Sequence, residues 1–263
     1  SYNHLFIRSG WNKTLDRWFT TFAFLLYDNV IFYTEQSYKQ ALNLKLLPPK
    51  KAYWANNTLD NRYIKDISSY SYKPENIRLL FIGRLIENKR IPLLFEYFHE
   101  LHSTLNRKGI SISLDIIGDG PLKEMVQQQA KANKQIDWYG ALSNEEEIAP
   151  IMERATVVFV PGHSGLSINH SFMYGRPYIT IQSDDHPPEM GYLEHNYNGF
   201  LLSGNQDEDI KQLQTLLMDG VRLGNLAKNA KQTAQNLRLT HGPGVLRFFR
   251  VSLHRGKHPG FCK

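Results

Sequence analysis

The residues best suited to chemistry sit in short turns that follow apolar runs. Arg84 and Lys89 come just after Ile77-Arg78-Leu79-Leu80-Phe81-Ile82. A guanidinium and an ammonium at the end of a strand can neutralise a diphosphate, Arg through a fork and Lys as a point charge. If the leaving group is a nucleotide, they also offset charge growing on the departing phosphate. Both are equally common as plain surface cations. His163 and His170 lie on a turn and on the segment after it. His170 suits a hydrogen bond to a ligand hydroxyl or phosphate, or the alternative of a core histidine bonded to backbone. Glu189, after Pro188, is placed to accept from hydroxyls of a polar ligand. A zinc site needs a third ligand at suitable spacing, and the chain has no HxxxH or CxxC, so no metal is expected. GxSxG, GxxxxGK[ST] and HExxH patterns are absent as well.

The elements that must position these residues repeat one design. Val157-Val158-Phe159-Val160 reads as a strand buried on both faces, broken by Pro161 to Gly165. Leu166, Ile168, Phe172 and Met173 recur at helical spacing until Gly175, and Tyr178 to Ile181 is the next strand. A strand feeding a glycine-rich turn and a helix leaves backbone N–H groups free for an anion. The same plan recurs at Ile77–Ile82 with Gly83, at Ile112–Ile117 with Gly118 and Gly120, and at Ile136–Tyr139 with Gly140. Helices are expected over 92–105, after Pro121 to about 134, and over 144–154, 207–217 and 222–237, with an irregular loop over 184–198 and a short strand at Gly199–Leu202. Strands alternating with helices predict a doubly wound parallel α/β sheet of the Rossmann type. Its ligands sit beyond the carboxyl ends of the strands, where all four turns fall.

Composition narrows the class. The 263 residues allow one large domain or two smaller ones, and 41% hydrophobic content suits a packed core. A net charge of +6 fits nucleotides, phosphates or anionic lipid without choosing among them. With Cys262 the single cysteine, a disulfide framework is excluded and a reducing, cytoplasmic setting is expected. No apolar run reaches the roughly 20 residues of a membrane span, and the polar first residues do not resemble a signal peptide. RNP, KH and zinc patterns are absent, so no nucleic-acid partner is expected.

Earlier in the chain, a strand is expected at 4–7, a helix from Thr14 or Asp16 to Tyr27, and a strand at Asn29–Tyr33. Thr34 should cap a helix over 35–44, and Ala52–Trp54 should form one more strand. The polar stretch Ser68 to Pro74 reads as a linker. Residues 241–263 are basic, with five Lys and Arg, three His and interleaved Phe248, Phe249 and Phe261. They suit a membrane surface or an acidic partner, or simply a packed helix and a solvated tail.

Taken in order, these pieces resemble family 4 glycosyltransferases, retaining enzymes of the GT-B fold. Residues 76 to about 205 resemble their C-terminal donor-binding domain. Gly83-Arg84-Leu85 with Lys89 looks like the GRL…K element, and Leu114 to Pro121 like the strand and GxGP turn. Tyr139-Gly140 looks like the next glycine turn. Gly165-Leu166 to Gly175-Arg176-Pro177 resembles the long signature, and Pro188-Glu189 with Asn198 to Leu202 the closing PE…G element.

The resemblance implies a UDP- or GDP-sugar as substrate and no cofactor or metal. Arg84 and Lys89 would contact the diphosphate and act in catalysis, and Gly165 and Leu166 would offer backbone N–H groups. The turn from Tyr139 and Gly140 to Leu142 would face the base. Gly83, Gly118, Gly120, His163, His170 and Glu189 would complete the donor site. The family usually carries Glu-x7-Glu where this chain has Gly162 and His170. The acceptor would be a glycan or lipid-linked, and the protein cytoplasmic, with peripheral contact at the inner membrane face.

The resulting organisation is a remnant of an N-terminal acceptor-side domain at 1–67, a linker at 68–75, a nucleotide-sugar-binding domain at 76–240 and a basic segment at 241–263. Asp28 to Glu35 and Asn57 to Asp60 look like the last elements of the acceptor-side domain, so the chain reads as a fragment or a truncated product. The alternative to a transferase is a sugar-nucleotide-binding module without turnover.

Overall fold

The computed structural model describes residues 13–56, 70–183 and 186–239. The expected strand at 4–7, the 57–60 segment, residues 68–69 of the linker and the basic stretch 241–263 lie outside them. The chain divides into two compact units, Ser1–Asn57 with Leu237–Lys263, and Thr58–Asn236.

In the first unit, α1 (Lys13–Leu26) leads to β1 (Val30–Phe32), α2 (Glu35–Asn43) and β2 (Ala52–Trp54). The strands pair in parallel, so α2 is the crossover of a βαβ unit. Thr34 caps α2 as expected, its hydroxyl accepting from Ser37 N at 3.1 Å. Phe32, Ala41, Leu46, Leu47, Ala52 and Trp54 form the core, with Phe24 edge-on to Phe32. Trp18, Phe22 and Leu26 on α1 are exposed.

The second unit alternates strand and helix. It runs β3 (Asn76–Ile82), α3 (Ile91–Asn106), β4 (Ser111–Ile117), α4 (Lys123–Ala132), β5 (Ile136–Trp138), α5 (Glu145–Arg154) and β6 (Val157–Phe159). It continues with α6 (Ser167–Met173), β7 (Tyr178–Ile181), β8 (Gly199–Leu202), α7 (Gln206–Leu217) and α8 (Gly220–Leu239), whose end passes beyond this unit. All six strands are parallel, in the order β5-β4-β3-β6-β7-β8. Leu79 stands between Leu114 and Val157 in register. Burial on both faces explains why these strands read as unbroken apolar runs.

From β3 the chain winds one way through β4 to β5. It then crosses back to β6 and winds the other way. Right-handed crossovers put α3 and α4 on one face and α5 and α6 on the other. Short helical pieces refine the expected pattern. Helix α4 ends at Ala132 rather than at about 134, and the irregular loop contains a 3-10 turn at Pro188–Tyr192.

Buried charges pin the helices. Asp209 accepts from Ser203 N, Gly204 N and the Tyr97 hydroxyl, fastening the start of α7 to α3. Arg176 is 2% exposed and donates to the Met152 and Glu153 carbonyls, both at 2.7 Å. It thereby adds a side-chain donor to the Met152 carbonyl, which also accepts from Ala155 N, and to the Glu153 carbonyl at the end of α5.

Candidate functional site

The winding reverses between β3 and β6. In open α/β sheets a crevice opens beyond the carboxyl ends of the strands at such a reversal. The turns flanking it are Gly83-Arg84 after β3 and Pro161 to Gly165 after β6, the stretches singled out by sequence.

All four glycine turns are stitched edge to edge by backbone hydrogen bonds. Gly118 N donates to Gly140 O at 2.7 Å, Gly83 N to Ile117 O at 3.0 Å, Leu85 N to Asp119 O at 2.9 Å and His163 N to Asn88 O at 2.8 Å. The approach is close enough to exclude side chains. A Cβ on Gly118 would stand 1.9 Å from Gly83 O, and one on Gly120 2.6 Å from Leu85 O. These glycines therefore bring the turns into one continuous rim.

Lys89 bridges the reversal. Its residue ends a 3-10 turn, Glu87–Lys89, ahead of α3, and its Nζ donates to the carbonyls of His163 and of Ser164, the latter at 2.9 Å. Burial and then the Arg84 charge pull its ammonium down to about 8, with Glu189 opposing. Two sequence candidates, Arg84 and Glu189, are thus electrostatic neighbours of a third. Arg84 is exposed, while Glu189 is 5% exposed. Among the described residues no carboxylate forms an ion pair with Arg84.

Gly162 lies against the same backbone. A Cβ there would meet Asn88 O at 2.2 Å and the Lys89 carbonyl carbon at 2.6 Å. His163, half-buried, follows it; Gly165 has open space beside its Cα and Leu166 is exposed. A buried polar layer supports this turn from below. Ser167 Oγ donates to Ser164 O at 2.7 Å and lies 2.7 Å from the Tyr178 hydroxyl, and His186 Nε2 donates to Ile181 O at 2.7 Å. Burial, moderated by bonds to Ser164 and Ser167, pushes the Tyr178 phenol up, so it stays protonated.

At the β5 end, Gly140 and Leu142 line the rim, both half-buried. The Tyr139 side chain is committed elsewhere. Its hydroxyl donates to Asp115 Oδ1 at 3.1 Å and is bonded by Arg154. Asp115 is 0% exposed and also receives Arg78 at 3.3 Å and Arg154 at 3.2 Å. A ligand at this turn therefore meets the Tyr139 backbone rather than its ring. Arg78 and Arg154 also line a cleft of about 340 Å³ with Lys73 and Thr156. That cleft opens at the amino ends of β3 and β6, the edge away from the glycine turns, so its volume does not mark the crevice.

His170 sits on α6, 8% exposed. Its Nε2 lies 2.9 Å from Glu145 Oε1, an ion-pair contact off hydrogen-bond alignment. Tyr174, one turn along, donates to Glu145 Oε2. Burial raises the Glu145 carboxyl, but the close contact and charge of His170 together with the Tyr174 bond outweigh it and the net shift is downward. Sequence reasoning missed Glu145. The signal was the Glu145-Glu146-Glu147 run opening a helix, which reads equally as acid at a helix N-terminus.

Among the described residues no group of three or more His, Cys, Asp or Glu is placed to hold a metal ion, and no helix is long and apolar enough to cross a membrane.

The profile of the family described as glycosyl transferases group 1 matches residues 65–236. No curated protein matches the chain. Among solved structures, Anabaena HepE in complex with UDP is similar at 16% identity and a TM-score of 0.65, over 96% of this chain and 71% of that one. A S. aureus TarM variant in complex with Fondaparinux, alpha-GlcNAc-glycerol and UDP gives 16% identity and a TM-score of 0.63, over 90% of this chain and 48% of that one. The pneumococcal O-GlcNAc transferase GtfA in complex with UDP and GlcNAc gives 18% identity and a TM-score of 0.62, over 93% and 48%. The α/β fold with its parallel sheet is that of GT-B glycosyltransferases. The chain spans about half the length of TarM and GtfA.

Proposed function

The chain belongs to the group 1 glycosyl transferases, and from that premise we propose that it binds a nucleotide-sugar, UDP-linked in the first instance, in the crevice between β3 and β6. We read it as moving the sugar with retention, without a metal, to a glycan or lipid-linked acceptor, as a hexosyltransferase of the family 4 type. The observation that carries this reading is the Lys89 bridge, because it sets an ammonium, with Arg84 beside it, in the gap between the two turns. HepE, TarM and GtfA, whose structures contain UDP, support the choice of nucleotide.

In this reading Arg84 and Lys89 hold the diphosphate and offset the charge it gains as the glycosidic bond breaks. The N–H groups of Gly165 and Leu166 add donors to the same oxygens. Gly83, Gly118 and Gly120 keep the rim thin enough for backbone to reach the ligand. Gly140 and Leu142, with the Tyr139 backbone, face the base. His163, His170 and Glu189 meet sugar and ribose hydroxyls. The first unit, with residues 1–67, belongs to the acceptor side, 68–75 links it, and 76–240 is the donor domain. The protein works in the cytoplasm at the inner membrane face, with 241–263 touching the lipid surface.

A second reading, a sugar-nucleotide-binding module without turnover, is favoured by one observation. At Gly162, where the resemblance places a carboxylate, the Asn88 and Lys89 backbone leaves no room for a side chain. Saturation-transfer NMR with a panel of nucleotide sugars tests both readings at once. A UDP-sugar signal that weakens in Arg84→Ala is expected, and no signal from any nucleotide sugar overturns the donor site. Release or transfer of labelled sugar then distinguishes the transferase from the inert module.

A further inference from the structure

We propose that Glu145 is a positioning residue of the donor site, fixing His170 so that its Nδ1 accepts a hydrogen bond from a ligand hydroxyl. The inference rests on the donor reading above and adds to it a residue from a different helix.

The geometry begins with α5. Asn144 caps it, accepting from Glu146 N at 3.0 Å, and Arg176 fastens its other end through the Met152 and Glu153 carbonyls. The first turn of α5 is therefore held at the carboxyl edge of the sheet, just beyond the Gly140 rim. Glu145 points from it to α6 and divides its two oxygens. Oε2 accepts from the Tyr174 hydroxyl, and Oε1 faces His170 Nε2 at 2.9 Å. The Tyr174 ring lies 5.5 Å from the imidazole, centroid to centroid, and restricts its rotation.

Chemistry then sets the tautomer. A carboxylate oxygen 2.9 Å from a ring nitrogen is repelled by a lone pair there and attracted by an N–H, so Nε2 carries the proton. In the neutral ring Nδ1 is then the acceptor. Among the described residues no hydrogen bond engages Nδ1. A ribose or sugar hydroxyl is a donor of matching polarity. The Glu145–His170 pair thus presents, by relay across two helices, the acceptor character a carboxylate at 170 would offer directly. Neither Glu146 nor Glu147 can substitute, since they lie 100° and 200° around α5 from Glu145 by helix geometry, at about 3.6 residues per turn.

The test uses the full chain labelled with ¹⁵N-histidine, with His170 assigned by His170→Gln, together with UDP titration. Wild type is expected to show Nε2–H and an acceptor Nδ1. Glu145→Ala is expected to mix the tautomers and weaken UDP by about tenfold, the scale of one hydrogen bond. Glu145→Gln, whose amide oxygen still accepts from Nε2–H, should recover most of the affinity. Tyr174→Phe, which removes the donor to Oε2 while keeping the ring and the carboxylate beside His170, should keep Nε2–H and so assigns the tautomer to Glu145 rather than to the tyrosine bond. Wild-type tautomers in Glu145→Ala overturn the proposal, as does an unchanged UDP affinity in Glu145→Ala. A wild-type chain that binds no UDP defeats the donor reading itself, while the ¹⁵N spectra still decide whether Glu145 orients His170.

Discussion

Lys89 donates to the carbonyl oxygen of Ser164 at 2.9 Å, so one ammonium ties the turn after β3 to the turn after β6. The same side chain carries a pKa drawn down to about 8, first by burial and then by Arg84. A bound diphosphate favours the charged form, so above pH 8 the free protein must take up a proton in order to bind. UDP affinity should therefore fall as pH rises through about 8, approaching tenfold per pH unit. Lys89→Met should bind weakly and with a flat profile across that range. The apo-protein behaves in the opposite sense. Between about 8 and the ordinary lysine value the unfolded chain holds the proton that the native one has released, so stability contributed by this group rises with pH. Isothermal titration and urea unfolding at pH 7 to 10 measure both limbs.

Gly162 makes a separate demand. Its Cβ position is 2.2 Å from Asn88 O and 2.6 Å from the Lys89 carbonyl carbon, both backbone atoms that cannot rotate away. Gly162→Ala should cost about 3 kcal/mol, the upper end for overpacking, read as a lower urea midpoint at constant slope. Gly162→Glu, which restores the residue type the resemblance expects there, should be still less stable and should not raise sugar transfer. A stable, more active Gly162→Glu would show that the Asn88–Lys89 turn yields readily.

These positions show what a sequence exposes and what it hides. The strands, their glycine turns and the Thr34 cap follow from period and residue type, which are local properties. A parallel, doubly wound sheet follows from the alternation of strands and helices, whereas the point of reversal between β3 and β6 comes from the strand pairing. Asp115 was hidden because a charge inside Leu114-Asp115-Ile116-Ile117 reads as a flaw in an apolar run. Its partners Arg78 and Arg154 lie 37 and 39 residues away, and only pairing of β3, β4 and α5 brings them in. A buried carboxylate does require such partners, so the run itself held a usable signal. Tyr139 shows the reverse case. Its position on the rim was legible, but the direction of its ring depended on the unseen Asp115. Spacing put Lys89 in the turn after β3, whereas its backbone acceptors come from a turn more than seventy residues later.

Arg84 separates binding from stability. It is exposed and, among the described residues, has no carboxylate partner, so little of the fold depends on it. Arg84→Ala should change unfolding free energy by no more than about 0.5 kcal/mol. Its charged hydrogen bonds to a diphosphate are worth about 1.5–3 kcal/mol, so UDP should bind roughly ten to a hundred times more weakly. It should also raise the Lys89 pKa, since the Arg84 charge is one cause of its depression, and move the alkaline limb to higher pH. Loss of stability without loss of UDP affinity would assign Arg84 to the fold instead.

Asp115 offers the opposite separation. It is fully buried, yet Arg78 and Arg154 are 26% and 39% exposed at their side chains. Removing the carboxylate leaves two guanidiniums that can turn to water, so the cost falls below that of stranding a buried charge. Asp115→Asn keeps the volume and one acceptor and should cost about 1–3 kcal/mol. The Tyr139 hydroxyl loses its acceptor at the same time, and that side chain holds the turn whose Gly140 carbonyl accepts from Gly118 N. The rim at Gly140 should loosen, seen as faster amide exchange at Gly118 and a few-fold weaker UDP binding. Tyr139→Phe removes only the hydroxyl contact and should reproduce the loosened rim with a smaller loss of stability. If Asp115→Asn is destabilised while Gly118 exchange stays at the wild-type rate, the network supports the sheet without reaching the site.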